Sequence, residues 1–129
     1  MTEYARYSPL LGLTAQWDTG EVDFDEYLWD ALYTYGAGAI PEPAQIATID
    51  RLWATSPEGY GSTDIAFLAR LDDDRWATCV AWSDTSGFGC QQGVDWRIND
   101  TRELAISQGL DKESRAHLGL SLPGEENAR

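Results

Sequence analysis

Thr63-Asp-Ile-Ala-Phe-Leu-Ala-Arg-Leu71 and Trp76-Ala-Thr-Cys-Val-Ala-Trp-Ser83, joined by Asp72-Asp-Asp-Arg75, form the stretch whose reading decides the fold. Both segments alternate and are rich in β-branched and aromatic residues, and the aspartates between them suit a tight turn, so the stretch predicts a hairpin. Asp73 and Asp74 at its centre tolerate left-handed or bridge backbone angles. Counting outward sets Leu71 against Trp76, Ala69 against Thr78, Phe67 against Val80 and Ile65 against Trp82. That register gathers the large apolar side chains on one face and makes Trp82 a core residue. The other face would carry Ala66, Leu68, Arg70, Ala77, Cys79 and Ala81, small rather than polar, so the sheet is expected to be covered there as well.

Outward from the hairpin, Gly93-Val-Asp-Trp-Arg-Ile98 reads as a third strand, with Val94, Trp96 and Ile98 on one face and Asp95 and Arg97 on the other. The connection from Asp84 to Gly93 is too long for a hairpin turn and contains three glycines; Asp84, Phe88, Gln91 and Gln92 are its candidate binding residues. Upstream, Asp23-Phe-Asp-Glu26 has capping-box spacing and predicts a helix. Its stripe is Phe24, Tyr27, Leu28, Ala31 and Tyr35, with Trp29 and Tyr33 on a neighbouring face and Gly36 as a left-handed terminus. Pro43, Ile46, Ile49, Leu52 and Trp53 predict a second helix that ends before Pro57. Downstream, Asp100-Thr-Arg-Glu103 and Asp111 open two short helices that close at Gly109 and Gly119. Residues 1 to 20 read as an extended arm with room for a short strand at Leu13 to Trp17, and residues 121 to 129 as a loose acidic tail.

Asp72-Asp-Asp-Arg-Trp-Ala77, followed by Trp82-Ser-Asp-Thr-Ser-Gly-Phe-Gly-Cys-Gln-Gln-Gly-Val-Asp-Trp96, resembles small acidic proteins carried by actinobacterial phages, over residues 63 to 120. Members of that group more often carry Asp-Gly-Arg in the turn and Asp-Thr-Thr-Gly-Trp in the loop, so this chain departs at Asp74, Ser86 and Phe88. The resemblance implies a phage or mobile-element origin and brings no activity with it.

A chain of 129 residues suits one domain, drawn at 1 to 120, with a core that needs neither metal nor disulfide. The net charge of −13 is uneven. Residues 1 to 50 hold nine acids against Arg6 alone, residues 51 to 100 hold eight against four, and the remainder is nearly balanced. Such a surface repels nucleic acid and anionic membrane and attracts basic surfaces, although solubility alone also accounts for it. Fifteen aromatics, six of them tryptophan, imply either an aromatic-rich core or an exposed binding surface. No apolar run reaches membrane-spanning length and the first residues lack a signal-peptide layout, so a cytoplasmic location is expected. Cys79 and Cys90 are then expected as free thiols.

Motifs for chemistry are sparse. Asp18-Thr-Gly20 spells the aspartic-protease triplet once, where that chemistry needs two carboxylates sharing a proton. Asp72-Asp-Asp74 lacks the alternate spacing of a calcium loop, and one histidine, His117, cannot complete a zinc site without carboxylates. No phosphate-cradling loop or dinucleotide fingerprint is present. The sequence therefore leads to an α+β domain, a three-stranded antiparallel meander packed with about four helices, with no catalytic residues, no cofactor and no metal. Its expected role is that of a non-enzymatic, phage-type accessory protein, an inhibitor that binds a host protein through an acidic, nucleic-acid-mimicking surface. Direct nucleic-acid or membrane contact is not expected. The alternatives are a virion or assembly component and an enzyme of another type. The expected contact region is Trp17, Asp18, Glu21, Asp25, Trp29 and Asp30, where carboxylates and aromatics coincide.

Overall fold

The chain folds around a five-stranded mixed sheet in the order β1-β5-β4-β3-β2. The strands are β1 (Gly36–Gly38), β2 (Ile46–Thr55), β3 (Thr63–Leu71), β4 (Trp76–Asp84) and β5 (Gln91–Asn99). Helices α1 (Ser8–Thr14), α2 (Glu26–Thr34), α3 (Arg102–Gly109) and α4 (Lys112–Leu118) pack on it. This computed structural model describes residues 5–17, 22–56, 63–84 and 91–125. The α+β class stands, but the three-stranded meander does not: β2 pairs antiparallel with β3, and β1 pairs parallel with β5.

The turn that organises the hairpin is one residue shorter than the pattern suggested. Leu71 N–H donates to Arg75 O (2.8 Å) and Asp74 N–H to Leu71 O (3.1 Å), so the loop is Asp72-Asp-Asp74, with Asp74 left-handed at φ 68°. A three-residue loop ending in a left-handed residue is a standard hairpin closure, and aspartate reaches that conformation more easily than most residues. Asp73 reinforces it by accepting from Arg75 N–H (3.1 Å) and from Arg75 Nε (2.8 Å). The register accordingly slips by one residue. Phe67 faces Cys79 rather than Val80, Ala69 faces Ala77, and Ile65 faces Ala81. Because side chains alternate, the slip moves Trp76, Thr78, Val80 and Trp82 to the opposite face.

That first face carries the main core. Tyr7 and Leu10, Phe24, Trp29 and Leu32 from the helical side meet Ile46, Ile49, Leu52, Phe67, Leu71 and Trp96 from the sheet. Ala77, Cys79 and Ala81 supply the low ground that the rings require. Trp29 sits edge-on to Phe67 with centroids 5.6 Å apart, Phe67 edge-on to Trp96 at 5.5 Å, and Tyr33 against Trp96 at 5.0 Å. Edge-to-face pairs of this kind add to the stabilisation that burial alone supplies. Cys79 is a fully buried free thiol, and burial pushes its pKa up; Cys90 lies outside the described residues.

The predicted helix over 43–53 is instead the edge strand β2, preceded by a 3-10 turn at Pro43–Gln45. Ile46, Ile49 and Leu52 recur every three residues, which imitates a helix, but bulges between Ile46 and Thr48 and between Ile49 and Arg51 insert one unopposed residue each. Each bulge resets the alternation, so all three side chains return to the core face of a strand. The expected arm at the N-terminus is α1, and no strand forms at Leu13 to Trp17 among the described residues. Helix α2 is capped by Asp25, which accepts from Leu28 N–H (2.9 Å), not by Asp23. Its buried residues are Trp29 and Leu32, while Tyr27 and Tyr35 face solvent. Gly36 opens β1 instead of ending the helix in a left-handed residue; Tyr35 is the cap.

The second face of the sheet is covered in part, but not by packing on all the small residues expected there, since the register puts Ala77, Cys79 and Ala81 on the first face. Leu110 and Leu118 pack on Ala66, and Ala105 and Ile106 on Leu68. The hydroxyl of Thr78 donates to Gly109 O (2.9 Å), pinning the end of α3 to the sheet. Arg115, itself buried, donates to the carbonyls of Ile106 and Leu110 and pairs with Glu125 at 2.5 Å. It thus satisfies the open end of α3 and ties down residues 121–125 of the expected tail; 126–129 lie outside the described residues. No helix among the described residues is long and apolar enough to cross a membrane.

Candidate functional site

The residues expected to form the contact region are mostly committed to the fold. Trp29 is wholly buried, a core residue and not an exposed one, and Asp25 is occupied as the cap of α2. Asp30 accepts from the hydroxyl of Tyr7 (3.0 Å). Trp17 is half-buried and packs against the core beside a cavity of about 340 Å³ lined by Leu11, Thr14 and Phe24. Asp18, Glu21 and Phe88 lie outside the described residues. Asp84 pairs with Gln91 at the end of the β4-β5 ladder, and Gln91 and Gln92 are exposed.

Another place brings exposed aromatics and charge together. Helix α3 stops at Gly109 and the chain turns away so that α4 contacts β2 and β3, leaving the far half of β4 and β5 open on this face. The result is a cleft of about 620 Å³. Val80, Trp82, Gly93 and Asp95 form its floor, Gln108 to Asp111 one wall, and Tyr35 and Ala37 the other. Trp82 is 44% exposed and Tyr35 53% exposed, unusual for such large side chains. Trp82 stands directly opposite Gly93, and a Cβ at Gly93 would lie 2.7 Å from the indole Nε1. The missing side chain is what lets the indole lie across the neighbouring strand.

Beyond Trp82 a second depression of about 190 Å³ shares Val80, Trp82 and Asp111 with the cleft and adds Asp64, Glu113 and His117. The His117 ring stacks flat on Trp53, centroids 3.8 Å apart and 4° from parallel, so the only histidine is half-covered rather than free on the surface. Four carboxylates therefore line the two depressions that share the exposed indole: Asp95 and Asp111 in the cleft, and Asp64, Asp111 and Glu113 in its neighbour. The one guanidinium in the cleft, Arg97, is held by Asp95 at 2.9 Å. Burial would raise the Asp111 carboxyl, but hydrogen bonds from the N–H and side chain of Ser114 outweigh it and hold its pKa below the ordinary range. It stays ionised while capping α4.

Other strongly shifted groups sit away from this cleft. Burial raises Tyr33 inside the aromatic core, and Arg115 draws Glu125 down to about 2. No group of three or more His, Cys, Asp or Glu among the described residues could hold a metal ion. Comparison with protein-family models, with curated proteins and with solved structures finds no match.

Sequence pattern missed the cleft because the hairpin register placed Trp82 in the core. The signal that could have found it is the length of the turn: counting Asp72-Asp-Asp74 as the entire loop puts Trp82 on the second face, where the separate β4-β5 register sets it opposite Gly93.

Proposed function

We propose that the protein is a non-enzymatic accessory protein of phage type that binds a basic surface on a host protein, competing there with nucleic acid. The observation that carries this reading is the disposition of charge. The described arginines are engaged within the chain: Arg70, Arg75, Arg97, Arg102 and Arg115 are paired with Asp74, Asp73, Asp95, Asp50 and Glu125. Arg6 lies over the rings of Tyr7 and Tyr33, and Arg51 donates to Leu118 O. Asp23, Asp64, Asp72, Asp100 and Glu103 have no ion-pair partner among the described residues and remain available to the outside. A surface of one sign steers an oppositely charged partner and rejects polyanions. Exposed aromatic anchors at the Trp82 cleft supply the apolar contact that steering alone lacks.

The test is capture from host lysate, identification of the captured protein, and measurement of its association rate at low and high salt. A captured protein with a basic surface, whose association slows as salt rises and whose nucleic-acid ligand is displaced, is the expected result. Capture of nothing, or a rate indifferent to ionic strength, refutes the proposal.

A further inference from the structure

The Trp82 cleft is more specific than an acidic patch. Its floor is an indole with nearly half its surface open, and a second exposed ring, Tyr35, stands on the opposite wall. Asp95 and Asp111 line the cleft with the indole, and Asp64 and Glu113 line the adjoining depression that shares it, drawn from β3, β5, the cap of α4 and its first turn. Asp95 is partly spent on Arg97 and Asp111 on the N–H of Ser114 (2.7 Å), whereas Glu113 has only His117 Nε2 nearby, at 3.7 Å, and the Asp64 carboxylate has no hydrogen-bond or ion-pair partner among the described residues. An anionic ligand would meet a field of its own sign. An apolar ligand would have to strip water from the carboxylates without replacing it, which is unfavourable. A planar cation satisfies both components, because a guanidinium stacks on an aromatic face and donates in a fork to carboxylates.

We infer that the cleft between β5 and the α3-α4 turn takes an arginine side chain carried on a basic segment of the partner, with its guanidinium on the Trp82 ring and its N–H groups toward the carboxylates beside it. This rests on the basic-partner reading and adds the place and chemistry of the contact. At about 620 Å³ the cleft accommodates the side chain together with neighbouring residues of the segment.

The test titrates isotopically labelled protein with an alternating glycine-arginine octapeptide and with its citrulline counterpart, which keeps the shape and loses the charge. The arginine peptide should shift the Trp82 indole N–H and the Gly93 and Asp95 amides saturably, and the citrulline peptide should not. Trp82→Ala should weaken binding about five- to tenfold, with Trp82→Phe between it and wild type because a smaller ring remains. Asp64→Asn with Glu113→Gln should weaken binding severalfold, whereas Asp72→Asn with Asp100→Asn, equal in charge but at the far end of the sheet, should change it by less than about twofold. Equal loss from both charge pairs, equal shifts with both peptides, or shifts spread evenly over the acidic surface would overturn the cleft assignment. Each of those outcomes leaves the basic-partner reading intact, since that reading fails only if the lysate experiment yields no salt-sensitive basic partner.

Discussion

Replacing Gly36 by alanine tests the least expected element, the short parallel strand β1. A Cβ at Gly36 would lie 2.8 Å from Leu32 O, 2.8 Å from Trp96 Cδ1 and 2.9 Å from Trp96 Nε1. The indole is there because its N–H donates to Leu32 O (3.0 Å), and Trp96 is fully buried at the centre of the ring cluster. The methyl must displace the indole or the carbonyl. Overpacking of this kind costs about 1–3 kcal/mol. Separating the buried N–H from its acceptor adds about 1–3 kcal/mol. The two overlap, being one displacement, and the lost backbone freedom of the unfolded glycine returns about 0.4–1 kcal/mol. The net expectation is a loss of about 2–4 kcal/mol, which lowers a urea midpoint by about 1–2 M.

Gly12 provides the internal control. It lies within α1, and a Cβ there meets nothing within 4 Å. Alanine in a helix interior is favoured over glycine by about 0.5–1 kcal/mol, so Gly12→Ala should raise the midpoint. The same chemical change thus acts with opposite sign at the two sites. A Gly36→Ala midpoint at or above wild type, followed by far-ultraviolet circular dichroism, would falsify the packing of Trp96 against β1.

Three further substitutions address the hairpin, the sheet and the tail. Asp74→Gly should stabilise by about 0.5 kcal/mol in denaturant unfolding, because glycine is unstrained at positive φ and the exposed Arg70 pair it removes contributes little. Trp82→Ala should cost less than about 2 kcal/mol in the same assay, since the ring is half-exposed, whereas Trp96→Ala should cost about 3–5 kcal/mol. Glu125 is held from 4.5 down to about 2 by the Arg115 guanidinium and then by the Leu122 N–H. A lowered folded pKa contributes stability that is whole above about pH 4.5 and fades as the pH falls through 2, so Glu125→Gln should lower the melting temperature at pH 7 and flatten its fall between pH 4.5 and 2.

Local chemistry was legible in the sequence at α4 and β5, though not at α2, where Asp25 rather than Asp23 is the cap and Gly36 does not end the helix. Asp111 caps α4, Gly119 ends it at φ 72°, and β5 presents Trp96 inward and Asp95 outward. Reading failed where two periods coincide. Ile46, Ile49 and Leu52 satisfy a helical spacing and a doubly bulged strand equally well, and only pairing with β3 selects the strand. Pairing is a long-range property, and bulges carry no strong local mark. Likewise β1 is three residues long and exists because Gly36 and Gly38 admit the Trp96 ring and backbone, an approach no single-residue preference announces.

The candidate site was illegible for a related reason, which is volume. The pattern gathered Phe67, Val80, Ile65 and Trp82 on one face because all four are large and apolar. The core already receives Trp29, Phe24 and Tyr33 from α2 and its approach, and Trp96 from β5. Interiors are close-packed, so rings arriving from the helices need small residues beneath them, and β4 offers Ala77, Cys79 and Ala81 on alternate positions. A four-residue turn would replace those three with Trp76, Thr78, Val80 and Trp82 and overfill the same space. The three-residue turn closed by Asp74 and the aromatic content of α2 therefore select the same register for independent reasons. The consequence reaches function: one residue of turn length decides whether Trp82 is core or cleft, and with it whether the depressions lined by the carboxylates of β3, β5 and α4 share an aromatic surface.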